Sequence, residues 1–72
     1  MTNASKNIKD MTEDELIDEY SYHRDMMDYH GAVYNRNHSE KAWENFDKAD
    51  QAAKACYDLM IERGIRVRRR TL

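Results

Sequence analysis

Mostly apolar residues fall along this chain in two long stripes, each advancing in alternating steps of four and three. The first runs Leu16, Tyr20, His23, Met27, His30, Tyr34, and the second Ala42, Phe46, Ala49, Ala53, Cys56, Met60. Residues at such steps share one face of a helix, and sustained alternation is the seam of coiled-coil-like helices packed side by side. One stripe is bulky and the other mostly small, so the second helix can lie close against the first. The pattern predicts an all-α fold, an antiparallel two-helix hairpin with a helix over about residues 13–34, a turn over about 35–39 and a helix over about 40–63. The two helices would each measure roughly 33–36 Å, and matched length across a short turn favours antiparallel packing.

Local signals sharpen the ends. Thr12 is placed as an N-cap with Glu15 completing a capping box, and Met11 with Leu16 as a hydrophobic staple. Glu13, Asp14 and Glu15 sit in the first turn, where the helix dipole favours negative charge, so part of the acidity serves helix initiation. Either Ser39 alone or Asn37 with Glu40 could open the second helix. Gly64 is the expected C-terminal cap, with Ile65 positioned to touch Met60. Gly31 either caps the first helix after His30 or lies inside it at a cost of about 1 kcal/mol relative to alanine. The apolar pattern continues through Val33 and Tyr34, which favours continuation. Residues 1–11 are polar and aperiodic and read as a flexible arm, 12–64 as the hairpin, and 65–72 as a basic tail.

On a helical wheel the first stripe spans only about 80°, and a second one, Tyr22, Met26, Tyr29 and Val33, lies beside it. A hairpin needs one stripe per helix. Trp43, Tyr57 and Ile61 are likewise surplus on the second helix. The bland account is that these aromatics fill space above small alanines. That covers Phe46 and some first-helix tyrosines, but not a whole second stripe. Tyr22, Met26, Tyr29, Val33, Trp43 and Tyr57 are therefore the candidate partner-binding residues, because tyrosine and tryptophan combine large apolar area with a polar edge.

Length turns this surplus into an expectation. A 72-residue chain supports one small core, and such chains usually draw stability from a staple or a partner. The single cysteine, Cys56, excludes an internal disulfide and suits a reducing compartment. Pairing with a second copy, giving a four-helix bundle, would supply the missing burial. With no apolar run long enough for a membrane span and no signal-like segment near Met1, the expected location is the cytoplasm.

Net charge is −2, but it is distributed unevenly. Between Asp10 and Asp28 eight acids face one base, whereas residues 63–72 hold five arginines and no acid. Arg66, Arg68, Arg69 and Arg70 form a candidate electrostatic tail that could steer or clamp an acidic partner, or contact phosphates. Alternatively, the tail lies on an acidic helix of the same chain or of a second copy. Its Ile-Arg-Val-Arg start alternates like a strand, which alone would pair with a partner chain or stay disordered.

Catalytic chemistry has little to stand on. His23 and His30 are about 10 Å apart along one helix, too far for a shared metal, and no nucleophile or glycine-rich motif is present. No cofactor, metal or enzymatic activity is expected. In general format, a compact acidic helical hairpin without catalytic groups, the chain resembles small phage or mobile-element proteins that bind and inhibit host machinery. That resemblance implies a protein-binding inhibitor or regulator, for example an anti-defence protein, acting in the host cytoplasm. The alternative is a nucleic-acid-associated regulator working through the arginine tail.

Overall fold

A computed structural model describes residues 7–70 as a 3-10 turn, Ile8–Asp10, followed by two helices, α1 (Glu13–Asn37) and α2 (Glu40–Glu62), packed as an antiparallel hairpin. Helix α1 starts where the capping box requires. The Thr12 hydroxyl accepts from the Glu15 amide at 3.2 Å, and the Glu15 carboxylate accepts from the Thr12 amide at 2.9 Å. Met11 and Leu16, the staple pair, are both buried in the core.

Gly31 does not end α1, which runs on to Asn37, three residues past the expected boundary. The turn shrinks accordingly. His38 closes α1 in the left-handed region (φ 51°), its amide donating to the Tyr34 carbonyl at 2.7 Å, and Ser39 immediately caps α2. Asn37 thus belongs to α1 and is not a cap. At the far end Gly64 (φ 71°) completes a Schellman motif, with Ile65 N–H donating to Met60 C=O at 2.9 Å and Gly64 N–H to Ile61 C=O at 3.1 Å.

The glycine inside α1 has a neighbour but no need of one. A Cβ added at Gly31 would sit 3.5 Å from Phe46 Cδ2 and Cε2, which is ordinary contact. Gly31→Ala should therefore raise stability by about 0.5–1 kcal/mol, a few degrees in Tm, by narrowing the unfolded ensemble. A thermal melt checks it. A lower Tm would show that the Phe46 ring requires the bare backbone.

The core lies at the open end of the hairpin. Met11, Leu16, Ile17, Tyr20, Ala53, Cys56 and Met60 form one buried cluster, with Ile8, Leu59, Ile65 and Val67 packed against it. Along the first stripe only Leu16 and Tyr20 are buried, while His23, Met27, His30 and Tyr34 are half-exposed towards the turn. The small stripe of α2 is buried at Ala42, Ala49, Ala53, Cys56 and Met60.

Both flanking segments, as far as they are described, pack against the hairpin. Residues 1–6 of the arm, and 71–72 of the tail, lie outside the described residues. Within the described part, Ile8–Asp10 form the 3-10 turn and Met11 is buried in the core. Asn7 caps the 3-10 turn through its side chain, and the Arg63 guanidinium donates to Met11 C=O at 2.7 Å and to Lys9 C=O at 2.6 Å. The tail forms no strand among the described residues; residues 65–70 fold back across α1, the arrangement in which the tail lies on the acidic helix of its own chain. Ile17 is fully buried as a result, although it stands about 100° from Leu16 and off the seam. Ile8, Ile65 and Val67, from the two chain ends, pack against the cluster to which it belongs.

Candidate functional site

The wheel arithmetic separates the candidate contact residues into two groups. Taking Leu16 as zero, Tyr22, Met26, Tyr29 and Val33 lie at about 220–280° around α1, whereas Arg24, Gly31 and Asn35 lie at about 60–100°, across the α2 seam. Tyr29, His30 and Val33 line a shallow groove with Ser39, Lys41 and Asn45. Gly31 and Asn35 instead line a groove with Tyr34, Trp43 and Phe46, and Arg24 one with Tyr20, Asp50, Lys54 and Tyr57. The six residues therefore do not form a single patch. Tyr22, Met26, Tyr29 and Val33 mark one flank of the hairpin; Trp43 and Tyr57, joined by Ile61, mark the other.

On the first flank Tyr29 is 59% exposed and Tyr22 46%, with Met26 and Val33 half-buried between them. Each tyrosine packs edge-on against the next histidine, at 5.2 Å for Tyr22–His23 and 5.1 Å for Tyr29–His30. These contacts fix the rings without covering their outer faces. His23 is held in addition by Glu19, 2.9 Å from Nε2.

The second flank is built around an aromatic ladder near the turn. Trp43 stacks on Phe46 (5.6 Å between ring centroids, 21°) and is tilted against Tyr34 (5.3 Å, 52°). It nonetheless remains 53% exposed, and Ile61 56%. Beside Tyr57, the Arg24 Nε is buried and has no hydrogen-bond partner.

A third surface is occupied by the tail. Arg69 donates to Asp25 at 2.5 Å and to Asp28 at 3.0 Å; Arg70 reaches Asp14 at 3.0 Å and also pairs with Asp18; Arg68 lies 3.8 Å from Glu13. The hydrogen bonds to Asp25 and then Asp28 push the Arg69 guanidinium further towards its charged form. The backbone is pinned too: Arg70 N–H donates at 2.8 Å to the Ser21 hydroxyl, which itself donates at 2.7 Å to Ile17 C=O. Of the four tail arginines singled out by sequence, Arg66 alone pairs with no carboxylate among the described residues.

The sequence did not single out Ser21, Ile17 or Arg63. A serine inside an acidic helix face reads as solvated, and its role depends on a segment 49 residues away. The usable signal was compositional. Ile8, Ile65 and Val67 are apolar residues in otherwise polar ends and needed somewhere to go.

Cys56 lies in the core, and burial, with a smaller contribution from Glu19, pushes its thiol up to about 11, so it carries no thiolate at neutral pH. Among the described residues, no three His, Cys, Asp or Glu side chains are arranged to hold a metal, and no helix is long and apolar enough to cross a membrane. No family model, curated protein or solved structure matches this chain.

Proposed function

We propose that the chain is a small non-enzymatic protein–protein interaction module, with the two aromatic flanks as its contact surfaces. The carrying observation is that Tyr22, Tyr29, Trp43, Tyr57 and Ile61 remain exposed after the core has been filled by other residues. Single exposed hydrophobics are normal, but several aligned along two helix flanks of so small a protein mark association. One flank closes a homodimer into a four-helix bundle and the other meets a different protein. The class this reading fits is the phage or mobile-element inhibitor, acting on a host protein in the cytoplasm. Direct nucleic-acid binding through the tail is less well supported, because the carboxylates of α1 already meet Arg68, Arg69 and Arg70.

Sedimentation velocity tests the pairing and assigns the flanks. The wild type is expected to be dimeric at micromolar concentration. Either Tyr22→Ser with Tyr29→Ser, or Trp43→Ser with Tyr57→Ser, should give a folded monomer, and the other pair of changes should leave the dimer intact. A monomeric wild type would remove the bundle. Retained capture of a protein by pull-down after both Tyr29→Ala and Trp43→Ala would remove the flanks as contact surfaces.

A further inference from the structure

We propose that the acidic face of α1 is a receptor surface for an extended, arginine-rich segment of another polypeptide, and that the chain's own tail is its built-in competitor. A row of carboxylates alone would carry no such meaning. Here an occupant is seated on them, and three kinds of contact hold it. Ile65 and Val67 pack against the core, the Ser21 hydroxyl takes a backbone N–H, and five carboxylates receive three guanidinium groups.

The contacts follow the alternation of an extended chain, in which successive side chains point to opposite sides. Arg68 and Arg70 both reach towards the start of α1, to Glu13, Asp14 and Asp18. Arg69, between them, reaches the other way, to Asp25 and Asp28. The segment thus crosses α1 at Ser21 and sorts its arginines to either side. A helical run of arginines would spread three successive side chains about 100° apart and could not sort them in this way. The acidic face therefore reads extended conformation as well as charge.

The resident segment is also replaceable. Its arginine side chains are a third to a half exposed, so salt and competing ions reach them. It begins directly after Gly64, which ends α2 in the left-handed conformation (φ 71°). Tethering holds the tail at an effective concentration on the order of millimolar, so any outside segment binds with its affinity reduced by that competition. This inference rests on residues separate from the aromatic flanks, so either can fail without the other.

The probe is a labelled Ile-Arg-Val-Arg-Arg-Arg peptide, followed by fluorescence anisotropy at low salt. Full-length protein carrying Arg68→Gln, Arg69→Gln and Arg70→Gln should bind it tighter than the wild type by on the order of tenfold or more. Adding Asp25→Asn and Asp28→Asn should abolish that gain. A lysine version of the peptide should bind more weakly, since a single ammonium cannot present two separate nitrogens to two carboxylates as Arg70 does, with Nη2 towards Asp14 and Nε towards Asp18. Equal binding by wild type and tail variant, indifference to Asp25 and Asp28, or equal binding of the lysine peptide would each overturn the proposal. Should the tail variant fail to fold, NMR of the wild type with excess peptide decides: displacement must move the Arg70 and Ser21 amide signals, and unmoved signals would refute it.

Discussion

Truncating Met60 to alanine is expected to destabilise the protein by about 2–5 kcal/mol and to leave little or no cooperative unfolding transition at 37 °C. Met60 is fully buried with Leu16, Ile17 and Cys56 at the centre of the only core cluster among the described residues. It also supplies the carbonyl that accepts from Ile65, so its side chain sits where the α2 cap, the tail and the start of α1 converge. A domain of this size rarely holds more than about 3–5 kcal/mol in total, so the expected loss matches the whole reserve. Collapse of α2 onto the cavity would soften the effect, yet the small residues Ala53 and Cys56 on the same stripe have no side-chain length to fill the gap. Met60→Leu conserves volume and should cost less than about 1.5 kcal/mol, whereas Lys48→Ala, on the exposed face, should change stability by no more than about 0.5 kcal/mol. Urea titrations followed by circular dichroism rank the three. A Met60→Ala midpoint close to that of Lys48→Ala would mean that the cluster does not govern folding.

The hairpin was legible because its signals are local. The capping box at Thr12, the Gly64 cap and the two stripes each depend on residues within one or two turns of one another; the two caps stand where they were expected, and the first stripe is buried at Leu16 and Tyr20. What the stripes did not carry is the third layer. Ile17 lies off the seam and reads as a surface residue until Ile8, Ile65 and Val67 are brought over it. The same holds for the acidic face of α1. Eight acids in one stretch and five arginines in another announce complementarity, but whether they meet within one chain depends on the direction the backbone takes after Gly64. For the candidate contact residues, the wheel identified which side chains are surplus, and four of the six are among the exposed large side chains. It did not reveal that they occupy opposite flanks, because two helices must be docked before a position on one can be compared with a position on the other.

Arg63 tests how much the chain ends contribute. Arg63→Met is expected to cost about 1.5–3 kcal/mol, despite the exposure of the residue, because two charge-assisted hydrogen bonds to backbone carbonyls are lost together. Methionine keeps much of the apolar stem, which isolates the guanidinium from packing. Lys9 and Met11 are 54 and 52 residues away from Arg63 in sequence, so the fork of that one side chain ties the 3-10 turn to the last turn of α2. Releasing it frees Ile8 and Met11 from the core edge and uncovers Ile17, so the effect should extend beyond the hydrogen bonds themselves. Lysine at 63 would retain the charge but reach only one carbonyl at a time, and should recover less than half of the loss. Hydrogen exchange distinguishes a local from a global effect. Opening of the turn alone would raise exchange at the Asp10 and Met11 amides, which donate to Asn7 and Ile8 carbonyls, while the amides in the middle of α2 keep their protection. Equal acceleration at both places would show instead that the turn and the hairpin unfold as one unit, and that the N-terminal segment belongs to the same cooperative core as Leu16 and Met60.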